Sequence, residues 1–259
     1  MSEEPLIAVF IDFENLAIGV RTMNSGRFQI QLVLKRLLEK GRIVYKRAYC
    51  DWSQYQDYVR EFHGQGVELI DIPQSKISGK NSADIRMVVD ALDLCYSKQH
   101  IDFFALISGD SDFSPLVSKL KENDKRVLGC GVKSSTSDLL IANCDEFIYY
   151  DDLMRAAAKA KPKPKADKPV DKKQEAIDKV LEILDSVEQD YSPLWGSVLK
   201  QAIQRVYPNF NESYYGYRSF SDLLEDTKTR GLIELDYDKS RGNYKVRRAK
   251  GSPDEKKSS

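Results

Sequence analysis

Residues 102–115 read DFFALISGDSDFSP. Phe103 to Ile107 form an apolar run without a polar break, as a strand buried on both faces of a parallel sheet requires. The run ends at Ser108-Gly109, and aspartates follow at 110 and 112. Pro115 then suits the first turn of a helix. Residues 6–15, LIAVFIDFEN, repeat this order, with an apolar run that closes on Asp12. In an open parallel α/β sheet the ligand crevice lies at the carboxyl ends of the strands. Both aspartate clusters therefore aim at one crevice, provided their two strands are neighbours.

Working outward, strand and helix signals alternate from about residue 5 to 153. IVYKRAYCDW (43–52), VELIDIP (67–73), RVLGCGV (126–132) and EFIYY (146–150) read as strands. Helices are predicted over Gln31–Leu38, Tyr55–His63, Ser82–Tyr96, Ser114–Asn123 and Ser137–Asn143. In Ser82–Tyr96 the stripe predicted to face inward is Ile85, Val88, Val89 and Leu92. This alternation predicts an α/β fold, a Rossmann-like three-layer sandwich around a central parallel sheet.

The chain has 259 residues, of which 41% are hydrophobic and 31% charged, enough for one to two packed domains and incompatible with wholesale disorder. No apolar run approaches the ~18 residues of a membrane span. The short apolar run after MSEEP lacks a basic region ahead of it, so no secretory signal is read and a cytoplasmic location is expected. Cys50, Cys95, Cys130 and Cys144 form no C-x-x-C pair, which argues against a zinc site or a disulfide framework. Two histidines, His63 and His100, cannot build a histidine metal cage.

The net charge is zero, yet the halves differ. Residues 1–154 carry 18 Lys+Arg against 23 Asp+Glu, or −5, and residues 155–259 carry 22 against 17, or +5. The boundary is 155–173, RAAAKAKPKPKADKPVDKK, with eight basic residues, two acids and three prolines. That composition predicts a solvated linker, a plain spacer or a nonspecific phosphate contact. Residues 1–154 then form the first domain, 174–248 the second, and 249–259 a polar tail expected to be disordered.

The second domain is mostly helical. Ile177, Val180, Leu181 and Leu184 mark one helix, and Val198, Leu199, Ala202, Ile203 and Val206 a second, with Ser192-Pro193 read as its cap and first turn. Phe220, Leu223 and Leu224 mark a third. LIELDY and NYKVRR flank DKSRG, a hairpin bent at Gly242. Three helices and a hairpin suggest a small winged-helix domain.

The carboxylates carry the chemistry. Mg²⁺ or Mn²⁺ prefers a few carboxylates plus water and substrate phosphate, and needs no His or Cys. Asp12, Asp110 and Asp112 stand at strand ends, and Asp84 in the first turn of a helix capped by Asn81 or Ser82. Each alone also suits a helix cap or a helix dipole. Asp90, six residues past Asp84, points about 120° away. Glu14 is read as alternating away from Asp12 or capping a turn, and Asp138 as a cap near the crevice.

FIDFEN (10–15), GKNSADIRMVVDAL (79–92), ALISGDSDFSPLV (105–117) and STSDLLIANCDEFIYYDDL (135–153) resemble, in order and spacing, the NYN branch of the PIN-like nuclease superfamily. The resemblance covers about residues 5–153. It implies metal-dependent cleavage of RNA phosphodiesters, with Asp12, Asp84, Asp110 and Asp112 as ligands of Mg²⁺ or Mn²⁺. Asn15 would orient a water or a phosphate at the edge of the site, and Ser108 and Ser111 would supply hydroxyls. Lys80 would meet a backbone phosphate.

Residues 192–235, with PNFNESYYGYRSFSDLL (208–224) as the telling part, resemble the OST-HTH or LOTUS domain over about 174–248. This implies a winged helix that binds RNA, or sometimes a protein partner. Tyr214, Tyr215, Tyr217 and Phe220 lie near Arg218, and aromatics beside cations suit base stacking. Phe220 and at least one tyrosine are expected in the core, packing the third helix onto the second. Tyr215, Tyr217 and Arg218 are the expected RNA contacts there. On the wing the expected contacts are Lys239, Arg241, Lys245 and Arg247, with Arg248 beside them.

The reading is a metal-dependent ribonuclease with its own RNA-binding module. Alternatives are a catalytically weak or inactive RNA-binding regulator and an interaction scaffold. An aspartyl-phosphate phosphatase is a poorer fit, because D-F-E at 12–14 replaces D-x-D. Oligomeric state stays open, a homodimer included.

Overall fold

The computed structural model describes residues 4–23, 27–73, 81–160 and 171–249. These divide into two compact units, an N-terminal one ending at 160 and a C-terminal one starting at 171.

In the N-terminal unit, β1 (Leu6–Asp12), β2 (Arg42–Cys50), β3 (Glu68–Asp71), β4 (Phe103–Ile107), β5 (Arg126–Gly131) and β6 (Glu146–Tyr149) form one sheet. Its order is β3-β2-β1-β4-β5-β6, and every pairing is parallel. The chain leaves β1 for β2 on one side and later returns to place β4 on the other. The switch point therefore falls between β1 and β4. Ile11 pairs with Ile107. Asp12 and Ser108, one residue on, thus leave the sheet side by side.

Residue alternation along each strand feeds two cores. Ile7, Val9 and Ile11 face one, with Phe13, Phe28, Leu37 and Tyr150. Ala8 and Phe10 face the other, with Phe104, Leu106, Met87 and Val117. The covering helices are α1 (Phe13–Thr22), α2 (Ile30–Lys40), α3 (Gln56–Gly64), α4 (Ser82–Ser97), α5 (Ser114–Glu122), α6 (Asp138–Asn143) and α7 (Tyr150–Ala160). Pro115 sits in the first turn of α5, as its fixed φ favours.

Three differences from the sequence reading have physical causes. On α4 the buried face is Met87, Ala91 and Cys95, while Ile85 and Val89 are exposed. The helix carries apolar residues on two faces, so periodicity did not determine which one meets the sheet. Helix α1, directly after Asp12, has no spacer separating it from the strand run and was not predicted. Helix α7 begins at Tyr150 and continues to Ala160, six residues into the segment that composition assigned to the linker. Residues 161–170 and 250–259 lie outside the described residues.

The C-terminal unit contains α8 (Lys172–Val187), α9 (Gly196–Val206), α10 (Phe220–Thr229) and the antiparallel pair β7 (Ile233–Asp238) and β8 (Asn243–Arg248). Asp171 caps α8 and Ser219 caps α10 through side-chain oxygens. Ser192-Pro193 is a cis peptide ahead of α9, whose cap is Trp195, so it does not start that helix. The wing turns at Gly242, which adopts a positive φ of 60°. Asp238 fixes that turn by accepting from the Ser240 N–H (2.9 Å) and hydroxyl (2.6 Å). Ile177, Leu199, Phe220, Leu223 and Val246 meet in a separate core, which makes this a winged-helix unit. Among the described residues no helix is long and apolar enough to cross a membrane.

Candidate functional site

Asp12 ends β1 and caps α1, its Oδ1 accepting the Asn15 N–H at 3.2 Å. Its Oδ2 accepts from the Ser108 hydroxyl at 2.8 Å. Ser108 is fully buried and its oxygen also accepts the Asp110 N–H at 3.1 Å. Asn15 closes the same bridge from the other side, its Oδ1 accepting the Gly109 N–H at 3.0 Å. The ends of β1 and β4 are thereby locked together.

Asp110 caps the next turn, its Oδ1 accepting the Asp112 N–H at 2.9 Å. Asp110 is half-buried and Asp112 is exposed. Gly109 is required where it is, because a Cβ there would stand 2.5 Å from the Ser135 carbonyl oxygen and 2.9 Å from Thr136 Cα. Backbone cannot give way to a side chain at that range.

The carboxylates act on one another. Burial pushes Asp12 up to about 7, with further raising by Asp84 and then Asp110, against the lowering effect of the Ser108 and Asn15 hydrogen bonds. Asp84, half-buried in the first turn of α4, is pushed up to about 6 by burial and then by Asp110, Asp112 and Glu14. Asp12 therefore feels the charges of Asp84 and Asp110, and Asp84 those of Asp110 and Asp112. Glu14 belongs with them, since its charge raises Asp84 and also the Cys50 thiol. Of the two placements expected for Glu14, a strand continuation or a turn cap, neither is met as stated: Glu14 lies in the first turn of α1, which Asp12 caps.

The donor set suits a hard divalent cation: hard oxygens, partly desolvated, with excess negative charge. Among the described residues no group of three or more His, Cys, Asp or Glu side chains is arranged so as to hold a metal ion. An ion bound through one or two carboxylates plus waters and substrate phosphate does not need three. Lys80 lies outside the described residues. Asp90 is held by Arg47 (2.9 Å), Arg86 (2.9 Å) and the Tyr49 hydroxyl (2.9 Å), away from the crevice. Asp138 sits in the first turn of α6, which Ser137 caps.

In the C-terminal unit two expectations are corrected. Tyr215 and Tyr217 are only 5% and 6% exposed and pack in the core. Tyr215 Oη is 2.6 Å from Lys179 Nζ, and the Tyr217 hydroxyl donates to Asp226 at 2.6 Å. Neither ring face is open to a base. The exposed ring is Tyr214, at 61%, with Lys172 Nζ 4.4 Å from its centroid. Phe220 is core, as expected.

Arg218, Lys239, Arg241 and Arg247 are exposed. Lys245 lies 3.5 Å from Asp236 and 3.8 Å from Asp238, which partly neutralises it. Arg248 is tied to Asp185 at 3.4 Å. Trp195, which the sequence reading passed over, lies beneath Arg241 (5.0 Å) and Lys245 (5.7 Å) and bridges β8. Only the wing's register reveals that contact, so the sequence carried no signal for it.

A doubly wound parallel sheet with a carboxylate crevice at its switch point, followed by a winged helix, defines the class. Residues 6–151 match the NYN domain family model, more than half of the chain, and the protein belongs to that family. Residues 171–242 match the OST-HTH/LOTUS domain model, so the C-terminal unit is a domain of that kind. A curated relative, an uncharacterised protein of Methanocaldococcus jannaschii, is 32% identical over 139 residues, which is 53% of this chain. This match spans about half, 52%, of the relative's own length. A crystal structure of a protein of unknown function from Vibrio parahaemolyticus is similar, with a TM-score of 0.52 and 25% identity. That match covers 59% of this chain and 97% of the other.

Proposed function

We propose that this protein is a metal-dependent ribonuclease that hydrolyses RNA phosphodiester bonds at the Asp12–Asp84–Asp110–Asp112 crevice, with RNA recruited by the LOTUS domain. The observation that carries the reading is the buried Asp12 carboxylate, held by Ser108 and Asn15 and pressed on by Asp84 and Asp110. A protein tolerates such an anion cluster at a cost unless a cation offsets it. Mg²⁺ or Mn²⁺ bound there would polarise the scissile phosphate and lower the pKa of a water. Asp12, Asp84 and Asp110 would hold the ion, with Asp112 at the outer edge. Ser108 fixes the Asp12 carboxylate, and the Asn15 amide would orient a water or a phosphate oxygen.

For RNA, Asp222, Glu225 and Asp226 make α10 repel phosphate, which disfavours a helix-in-groove reading. Contact is assigned to Tyr214 with Lys172, to Arg218, and to the wing residues Lys239, Arg241, Lys245 and Arg247. The lysine-rich segment between the domains tethers one to the other and raises the effective RNA concentration at the crevice.

The test is cleavage of labelled single-stranded and structured RNA in Mn²⁺, Mg²⁺ or EDTA, comparing wild type with Asp110→Asn. Cutting that needs metal and vanishes in Asp110→Asn supports the proposal. RNA bound but uncut in every metal would instead identify an RNA-binding regulator, the reading favoured by the absence, among the described residues, of any group of three His, Cys, Asp or Glu that could hold a metal ion.

A further inference from the structure

Eight large apolar side chains are exposed among the described residues, and three stand on α4: Ile85 (64%), Val89 (55%) and Tyr96 (57%). Steps of four and seven residues put them on one helix face, with half-buried Leu92 between them. The opposite face of α4 is already spent on the sheet through Met87, Ala91 and Cys95. An apolar stripe on the outer side of an otherwise packed helix marks an interaction surface.

The occupant is argued from three observations. The segments of this chain outside the described residues hold only Met1, Ile77 and Val170 as large apolar residues, too few to cover a three-turn stripe. The LOTUS domain exposes no large aliphatic side chain, only Tyr214 and Tyr237. The charges beside the stripe are self-complementary. Arg86 and Asp93 are both exposed, and seven residues apart they lie on the same flank of α4.

A two-fold axis demands that one patch fit itself. In an antiparallel pair of α4 helices with the axis midway between Val89 and Leu92, Arg86 of each copy lies about 3 Å along the helix from the level of Asp93 of the other, within reach of its long side chain. Val89 and Leu92 meet at the axis, and Ile85 at each end meets Tyr96 of the second copy. Arg86 can turn to Asp93 without abandoning Asp90, which keeps Arg47 and Tyr49 as partners at 2.9 Å each. Asp84 lies about a third of a turn away from the stripe, so the crevice stays open.

We infer that the outer face of α4 is the interface of a homodimer formed with a second copy of this chain. The inference is independent of the nuclease reading. It is tested by sedimentation equilibrium on the full chain, Val89→Asp, Arg86→Asp, Asp93→Arg and the double reversal. The expected result is twice the 29.6 kDa chain mass for wild type and the single mass for Val89→Asp. Each single reversal should weaken association about tenfold or more, and the double reversal should restore most of it. A wild type that stays at the single mass at tens of micromolar would overturn the inference. So would a Val89→Asp protein that remains a dimer. The surface reversals keep the test valid should Val89→Asp fail to fold, and a double reversal no tighter than the singles would overturn the antiparallel pairing.

Discussion

At the residue scale, Asp12 trades stability for function. Its carboxyl is raised from 3.8 to about 7 by burial and by Asp84 and Asp110. The native metal-free protein thus binds a proton more tightly than the unfolded chain. That contribution to stability is full below about pH 4 and is lost as pH rises toward 7. At ~1.4 kcal/mol per pKa unit the change amounts to about 4 kcal/mol at most. In EDTA, thermal melts from pH 4.5 to 8 should show wild type falling relative to Asp12→Asn, with Mg²⁺ narrowing the gap at neutral pH. Parallel curves for the two proteins would refute this account. The tyrosines give a second contrast. Tyr217→Phe removes a buried hydrogen bond to a carboxylate and should cost about 1–3 kcal/mol in urea unfolding, with RNA affinity unchanged. Tyr214→Ala should do the reverse, leaving stability alone and weakening RNA binding by the ~1–3 kcal/mol of a lost stack.

At the scale of elements, α4 and the turn after β4 decide most. Met87 is fully buried on α4, so Met87→Ala should cost about 2–5 kcal/mol. Val88, which the periodicity placed inward, is only half-buried and its truncation should cost about half as much or less. Equal losses would mean that the sheet meets a different face of the helix. Gly109→Ala forces a Cβ against the Ser135 carbonyl and disturbs the N–H that Asn15 accepts. Cleavage should be lost while RNA affinity, which the proposed function assigns to the other domain, holds, as binding titrations beside the nuclease assay would reveal.

At the scale of the whole molecule, the chain has zero net charge, and its basic excess lies in the linker at 155–173, with eight basic residues against two acids, while residues 174–248 carry 11 against 13. RNA affinity should therefore fall steeply with salt. For about four neutralised phosphates on a single strand, raising salt from 50 to 200 mM should weaken binding about 50-fold. A flat salt dependence in filter-binding titrations would remove the lysines and arginines of the LOTUS domain and linker from the account. The sequence by itself determined the parallel α/β class, the strand-end positions of Asp12 and Asp110, and the division into two domains, because strand runs, punctuation and composition are local properties. It also placed Pro115 in a first turn and Gly242 at a bend, since both residues restrict or free their own backbone. Tertiary structure alone decided that β1 and β4 are neighbours, so that Ser108 bonds Asp12 across 96 positions of sequence. It decided which of two apolar faces of α4 is buried, which of three close tyrosines is exposed, and that Glu14 lies in a helix rather than on a strand. The physical reason is the same in each case. Periodicity names the faces that an element offers, but only the packing of neighbours brought together from distant sequence determines which face leaves water.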